Sequence, residues 1–194
     1  MLLFQKSVTE GSLALVTQCA MYADLARVTE GEEKVKYQML LDLLTPMAKA
    51  YPSEISVQST SQGMQVLGGA GYCSDFPLQQ YYRDTRINPI YEGTTGIQAM
   101  DLLGRKVTMG MGKAIMLFGA ELQSTIMAAM AVEPLKERAA KLGASAQKFQ
   151  EVTMKLMDLA QKEAPEVFLA DATLYLENAG ILAVAWQWLK QAMV

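Results

Sequence analysis

A single carboxylate, Glu92, stands between the apolar pair Ile90-Tyr91 and Gly93, just ahead of Thr94-Thr95, either of which can cap a helix. Apolar neighbours strip water from a carboxylate and raise its pKa, making it a better base, whereas a facing helix N-terminus pulls the pKa down. The chemistry open to such a group is proton transfer. Acids also sit at helix entrances simply because the dipole favours them there, and spacing alone leaves that role the commoner one. A second stretch, Gln65-Val66-Leu67-Gly68-Gly69-Ala70-Gly71-Tyr72, has glycines that would let backbone amides approach a phosphate or a ring. Glycines past a helix end are equally a plain way out of it, and no strand precedes them as a dinucleotide fingerprint requires. The chain has no histidine, which removes Ser-His-Asp triads, Cys-His pairs and imidazole-dependent metal sites. Chemistry here must run on carboxylates, amides, backbone groups or a borrowed cofactor.

The elements that position these residues read as helices throughout. Phe4, Val8, Leu15, Cys19, Tyr22 and Ala26 form one stripe, and that helix is expected to end near Glu30-Gly31. Met39, Leu40, Leu43, Leu44 and Met47 form a second, which Pro46 should kink or end. Ser53 should cap a third helix, over 54–67, whose Gln58, Gln62 and Gln65 share a face that needs polar partners or water. A short amphipathic segment from Leu78 to Arg86 leads to the turn signal Asn88-Pro89. A long helix should then run from Thr94 or Thr95 through Ile97, Met100, Leu103 and Val107, and Gly110 and Gly112 mark a joint. Three more helices follow. One carries Ile115, Phe118, Leu122, Ile126 and Ala129; the next carries a seven-residue repeat in Leu135, Leu142, Phe149 and Leu156, interleaved with Ala139, Ala146 and Ala160. The last runs from Ala164-Pro165 through Phe168, Ala172, Tyr175, Ala179, Leu182, Trp186, Leu189 and Met193. With no run of alternating β-branched residues, the fold class is all-α, an antiparallel bundle over 1–109 followed by a second small bundle over 110–194.

Of the 194 residues, 51% are hydrophobic, enough to bury a sizeable core. The net charge is −3, without the basic field that recruits nucleic acid or anionic lipid. Cys19 and Cys73 form no CxxC pair and read as free thiols of a reducing compartment. No secretory leader and no run of roughly 18 uncharged apolar residues is seen, so a cytoplasmic protein without a membrane span is expected.

Taken together, Gln65-Val66-Leu67-Gly68-Gly69-Ala70-Gly71-Tyr72, Arg83-Asp84-Thr85-Arg86-Ile87 and Ile90-Tyr91-Glu92-Gly93-Thr94-Thr95-Gly96-Ile97-Gln98 closely resemble the C-terminal helical domain of the acyl-CoA dehydrogenases. The resemblance covers residues 1 to about 107 in order and spacing. By length and position, the remainder resembles the extra C-terminal helical domain of one longer bacterial branch. The resemblance implies that Glu92 is the catalytic base that removes the α-proton of an acyl-CoA thioester while FAD takes the β-hydride. It implies that Gln65, Val66, Leu67, Gly68 and Gly69 contact the FAD of a neighbouring subunit, and that Thr94, Thr95 and Gly96 touch the FAD beside the base. Tyr91 and Gly93 would line the acyl pocket, and electron-transfer flavoprotein or another acceptor would take the electrons. Gly96 departs from the family, which carries an amide or hydroxyl side chain there. Because the family's site also draws on an N-terminal helical and a middle β-domain, the chain is expected to be a fragment. It should bind FAD weakly or not at all, self-associate through bared apolar surface, and derive from a homodimer. The contrasting reading is a stand-alone helical scaffold or interaction module in which Glu92 is incidental. An enzyme part should gather Glu92 and Gln65 on one cleft or broken interface.

Overall fold

The computed structural model describes all 194 residues and contains helices but no strands, the all-α class expected. Helix α1 (Leu2–Val28) and the 37-residue α2 (Gly31–Leu67) are joined by two residues and so fold back on each other. Tyr22 stacks on Tyr37 near the connection, and Gln5 lies against Gly63 at the far end, so the pair is antiparallel. Short α3 (Gly69–Tyr72) and α4 (Leu78–Thr85) lie along the far end of α2. Helix α5 (Thr95–Asp101) continues into a π-helical turn, Leu102–Lys106. Then follow α6 (Lys113–Met130), a 3₁₀ turn at Glu133–Leu135, α7 (Lys136–Lys162), the short α8 (Pro165–Phe168) and α9 (Ala172–Gln191).

The main difference from the expected elements is α2, which passes unbroken through Pro46 and Pro52. Each proline removes one backbone donor, leaving the carbonyls of Asp42 and Ala48 without their usual bond. The buried face of Leu40, Leu43, Leu44, Met47 and Ala50 carries on across Pro46, which is itself buried, and tertiary packing overrides propensity. Ser53 caps nothing. Its hydroxyl donates back to the Lys49 carbonyl at 2.5 Å, the mid-helix habit of serine. The helix expected from Thr94 to Val107 is α-helical only to Asp101, and the one expected after Pro165 breaks between Phe168 and Ala172.

Helix α9 organises the core. Eleven of its 20 residues are buried, and it packs on α1, α2, α5, α6 and α7. Gly11 admits Val184 and Trp188, whose atoms would stand 2.6 and 2.7 Å from an added β-carbon, and the Trp188 indole donates to the Ser7 carbonyl at 2.9 Å. Gly180 admits the ring of Tyr51, and the buried Trp186 meets Phe118 edge-on while donating to the Thr125 hydroxyl at 2.8 Å. The stretch Pro165–Gln191 reaches a mean hydropathy of 1.4, long and apolar enough by length and composition to cross a membrane although charged residues interrupt it. Half of that window is buried in the fold, against five other helices.

The seven-residue repeat on α7 is only half used. Leu135, Ala139 and Leu142 are buried, Phe149 and Leu156 partly so, and Ala160 is exposed. Two grooves flank this helix, one of about 1030 Å³ against α9 and one of about 1180 Å³ against α6.

Candidate active site

The segment around Glu92 is a loop between α4 and α5 whose shape comes from its backbone. After α4 the chain turns tightly: the amides of Ile90 and Tyr91 donate to the Ile87 carbonyl at 2.9 and 3.2 Å, and Pro89 is buried. It then reverses through two consecutive left-handed residues, Glu92 at φ 52° and Gly93 at φ 90°. Only glycine serves at 93, since an added β-carbon would also sit 2.6 Å from the Gln98 amide nitrogen. That amide donates to the Glu92 carbonyl at 3.4 Å. Of the two candidate caps, Thr94 is the one used, its hydroxyl accepting from the Ile97 amide at 3.3 Å.

Two side chains of α2 hold this loop from beneath. The Lys49 ammonium donates to the Asn88 carbonyl at 2.9 Å and to the Gly93 carbonyl at 2.6 Å. The Thr95 hydroxyl donates to the Glu54 carboxylate at 2.5 Å. Sequence reading missed both α2 residues, because their partners lie 39 to 44 positions away. The available signal is weak: a lysine and a glutamate on the otherwise uncharged stretch around Pro46 and Pro52.

The Glu92 carboxylate is exposed, which corrects the expectation that its apolar neighbours keep it dry. Ile90 and Tyr91 are themselves 50% and 47% exposed and do not roof it. The Tyr91 hydroxyl donates to the Asn88 side-chain oxygen at 3.2 Å. Any dehydration of this acid must come from a body that covers the loop.

The second cluster lies at the C-terminal end of α2. Gln65, Val66, Leu67, Gly68 and Gly69 are all exposed, and Gly68, at φ 61°, carries the chain out of the helix. Nothing lies within 4 Å of a β-carbon built on Gly68 or Gly69, so their backbone is open to close approach. On the glutamine face, the Gln62 side-chain oxygen is buried and without a hydrogen-bond partner. Eleven residues of helix separate Glu54, beside Thr95, from Gln65, about 16 Å along the axis. The structure therefore does not gather Glu92 and Gln65 into one cleft; it presents two separate exposed patches. Neither lines the two large grooves or the smaller one between α1 and α9. For a planar cofactor with a diphosphate, the open glycines and exposed threonine and glutamine groups fit as contacts from one side, but they enclose nothing.

Comparison with known proteins adds to this geometry. Residues 10–107 match the family described as acyl-CoA dehydrogenase, C-terminal domain, and residues 118–194 match acetyl-CoA dehydrogenase C-terminal like. A 3-methylmercaptopropionyl-CoA dehydrogenase of Ruegeria pomeroyi is 40% identical over 125 residues, 64% of this chain and 21% of that protein. The broad-specificity linear acyl-CoA dehydrogenase FadE5 of Mycobacterium tuberculosis is 30% identical over all of this chain and 33% of its own length. The crystal structure of Caenorhabditis elegans ACDH-11 in complex with C11-CoA superposes with a TM-score of 0.84 at 24% identity, covering 97% of this chain and 31% of that one, which establishes likeness of fold. The chain spans about a fifth to a third of the length of these curated relatives.

Proposed function

This chain belongs to the acyl-CoA dehydrogenase family, its residues 10–107 forming that family's C-terminal domain, and on that footing we propose that it is the base-bearing helical portion of a flavin-dependent acyl-CoA dehydrogenase. The observation that carries the reading is the loop at 88–95: a lone carboxylate on a left-handed turn, backed by Gly93, and tied to α2 from both sides. An α-C–H bond of a thioester is a weak acid, so its base must be both aimed and dehydrated. The loop supplies the aim. The exposed surroundings of Glu92 supply a face on which substrate and a covering domain would exclude water.

In this reading Glu92 takes the α-proton of the acyl-CoA, and Tyr91 and Gly93 flank the thioester end of the acyl chain. Bound FAD supplies the acceptor for the β-hydride. Thr94, Thr95 and Gly96 approach it beside the base, while Gln65, Val66, Leu67, Gly68 and Gly69 approach the FAD of a second subunit. Two exposed patches that share no groove support assigning them to two different cofactor copies, and so a homodimer. Exposed apolar residues on α1, among them Leu2, Leu3 and Leu13, support burial of that face in a larger assembly or self-association. Electron-transfer flavoprotein or another acceptor would drain the reduced flavin, in the bacterial cytoplasm. Residues 110–194 would be the extra helical domain of the longer branch.

The test is Glu92→Gln in the complete enzyme, followed by anaerobic flavin bleaching with a panel of acyl-CoAs. Loss of a positioned general base should slow bleaching by about 10²- to 10⁴-fold. Bleaching at the original rate would remove Glu92 from the chemistry.

A further inference from the structure

We infer that Lys49 is a positioning residue for Glu92: its ammonium, by holding the carbonyls of Asn88 and Gly93, fixes the direction in which the base points. The inference rests on the reading of Glu92 as the base. An ammonium has three donors and no acceptor. Here two of the three go to carbonyls five residues apart in the chain, at 2.9 and 2.6 Å, and the segment they bracket contains Glu92. The second carbonyl belongs to Gly93, the partner of Glu92 in the left-handed pair. A glutamate at φ 52° sits in a sparsely populated region and persists only where the surroundings hold it there. The Lys49 bond does so by fixing the peptide that follows Gly93.

Lys49 is well placed for this role. It is half-buried on α2 between Pro46 and Pro52, one turn from the buried Pro46 and next to the buried Ala50. A second tie, from Thr95 to Glu54, holds the start of α5 to the next turn of the same helix. The base is thereby referenced to the longest helix in the molecule, with no contact between Lys49 and the reacting atoms.

The chain itself can be tested without catalysis. In Lys49→Met, which keeps length and loses the donors, exchange of the Tyr91 and Thr95 amides, which donate to the Ile87 and Pro89 carbonyls, should speed up at least tenfold, with α6 and α7 unchanged, and Lys49→Arg should retain most of the protection. Acceleration below twofold would overturn the clamp. If Lys49→Met does not fold, the unmodified chain still decides: the Lys49 ammonium protons should be slowed in exchange with water by NMR, and averaging with solvent would overturn the clamp. In the complete enzyme, Lys49→Met should lower kcat at least tenfold with KM within threefold, partly restored by Lys49→Arg, because aim matters only as the proton moves. An unchanged kcat in a loosened loop would overturn the positioning role. Full activity of Glu92→Gln would instead sink the reading of the base while leaving the exchange result standing.

Discussion

Burial pushes the Cys19 thiol up to about 11 from 9.0, so this cysteine behaves as the small hydrophobe that its place on the stripe of Val8, Leu15 and Tyr22 suggests. Because the folded value is the higher one, the associated stability is complete below pH 9 and is lost as pH climbs toward 11. Two units correspond to at most about 3 kcal/mol. Tyr22 and Tyr175 are shifted in the same direction by burial, Tyr175 to about 12, so their losses begin above pH 10. Urea unfolding should therefore show stability flat to about pH 8 and falling steeply beyond 9, with a shallower fall through 9 to 11 in Cys19→Ala. The role of Cys19 was legible because burial follows helical periodicity. The surroundings of Glu92 were not: Ile90 and Tyr91 are apolar neighbours along the chain, but a turn that reverses at 92 and 93 sends them outward. Lys49 was invisible for a related reason, since a hydrogen bond to a carbonyl 44 residues away leaves no local pattern.

At the scale of helices, periodicity located most of the long elements, and the errors fell where packing outweighs local preference. Proline at 46 and 52 reads as a helix end, yet α2 runs through both, its buried face continuing across Pro46 as far as Ala50. The heptads of α7 read as a full seam, yet Phe149 and Leu156 are only partly buried and Ala160 is exposed, the contact with α9 resting instead on the buried Thr153, which bonds Tyr175, and on the Phe149–Tyr175 stack. Glycines show the same conflict between propensity and packing. Gly11 and Gly180 lie inside helices at close crossings, where an added methyl would stand 2.6 Å from Val184 and 2.9 Å from Tyr51. Gly119, on α6, has nothing within 4 Å. Alanine should therefore stabilise the chain by about 1 kcal/mol at 119, as helix propensity dictates. At 11 and 180 it should destabilise by about 1–3 kcal/mol through overpacking. Denaturant midpoints of the three variants decide this, and a gain at 11 or 180 would mean the crossings are looser than they stand here.

For the molecule as a whole, the two family matches meet near residues 107–118, yet one continuous core of 30 buried residues runs across that boundary. Lys36 of α2 pairs with Glu121 of α6 at 2.9 Å, Lys190 donates to Gln18, and α9 lies on α1 and α2 at Gly11 and Gly180. The boundary itself is a bare turn. Gly110, Met111 and Gly112 are all left-handed, and Met111 is fully exposed. A protease should find its first foothold there. Backbone continuity and molecular unity are separable properties of this protein. Limited digestion should give two fragments on a denaturing gel that still travel as one species through a native column, and the pair should come apart only when the chain as a whole is unfolded.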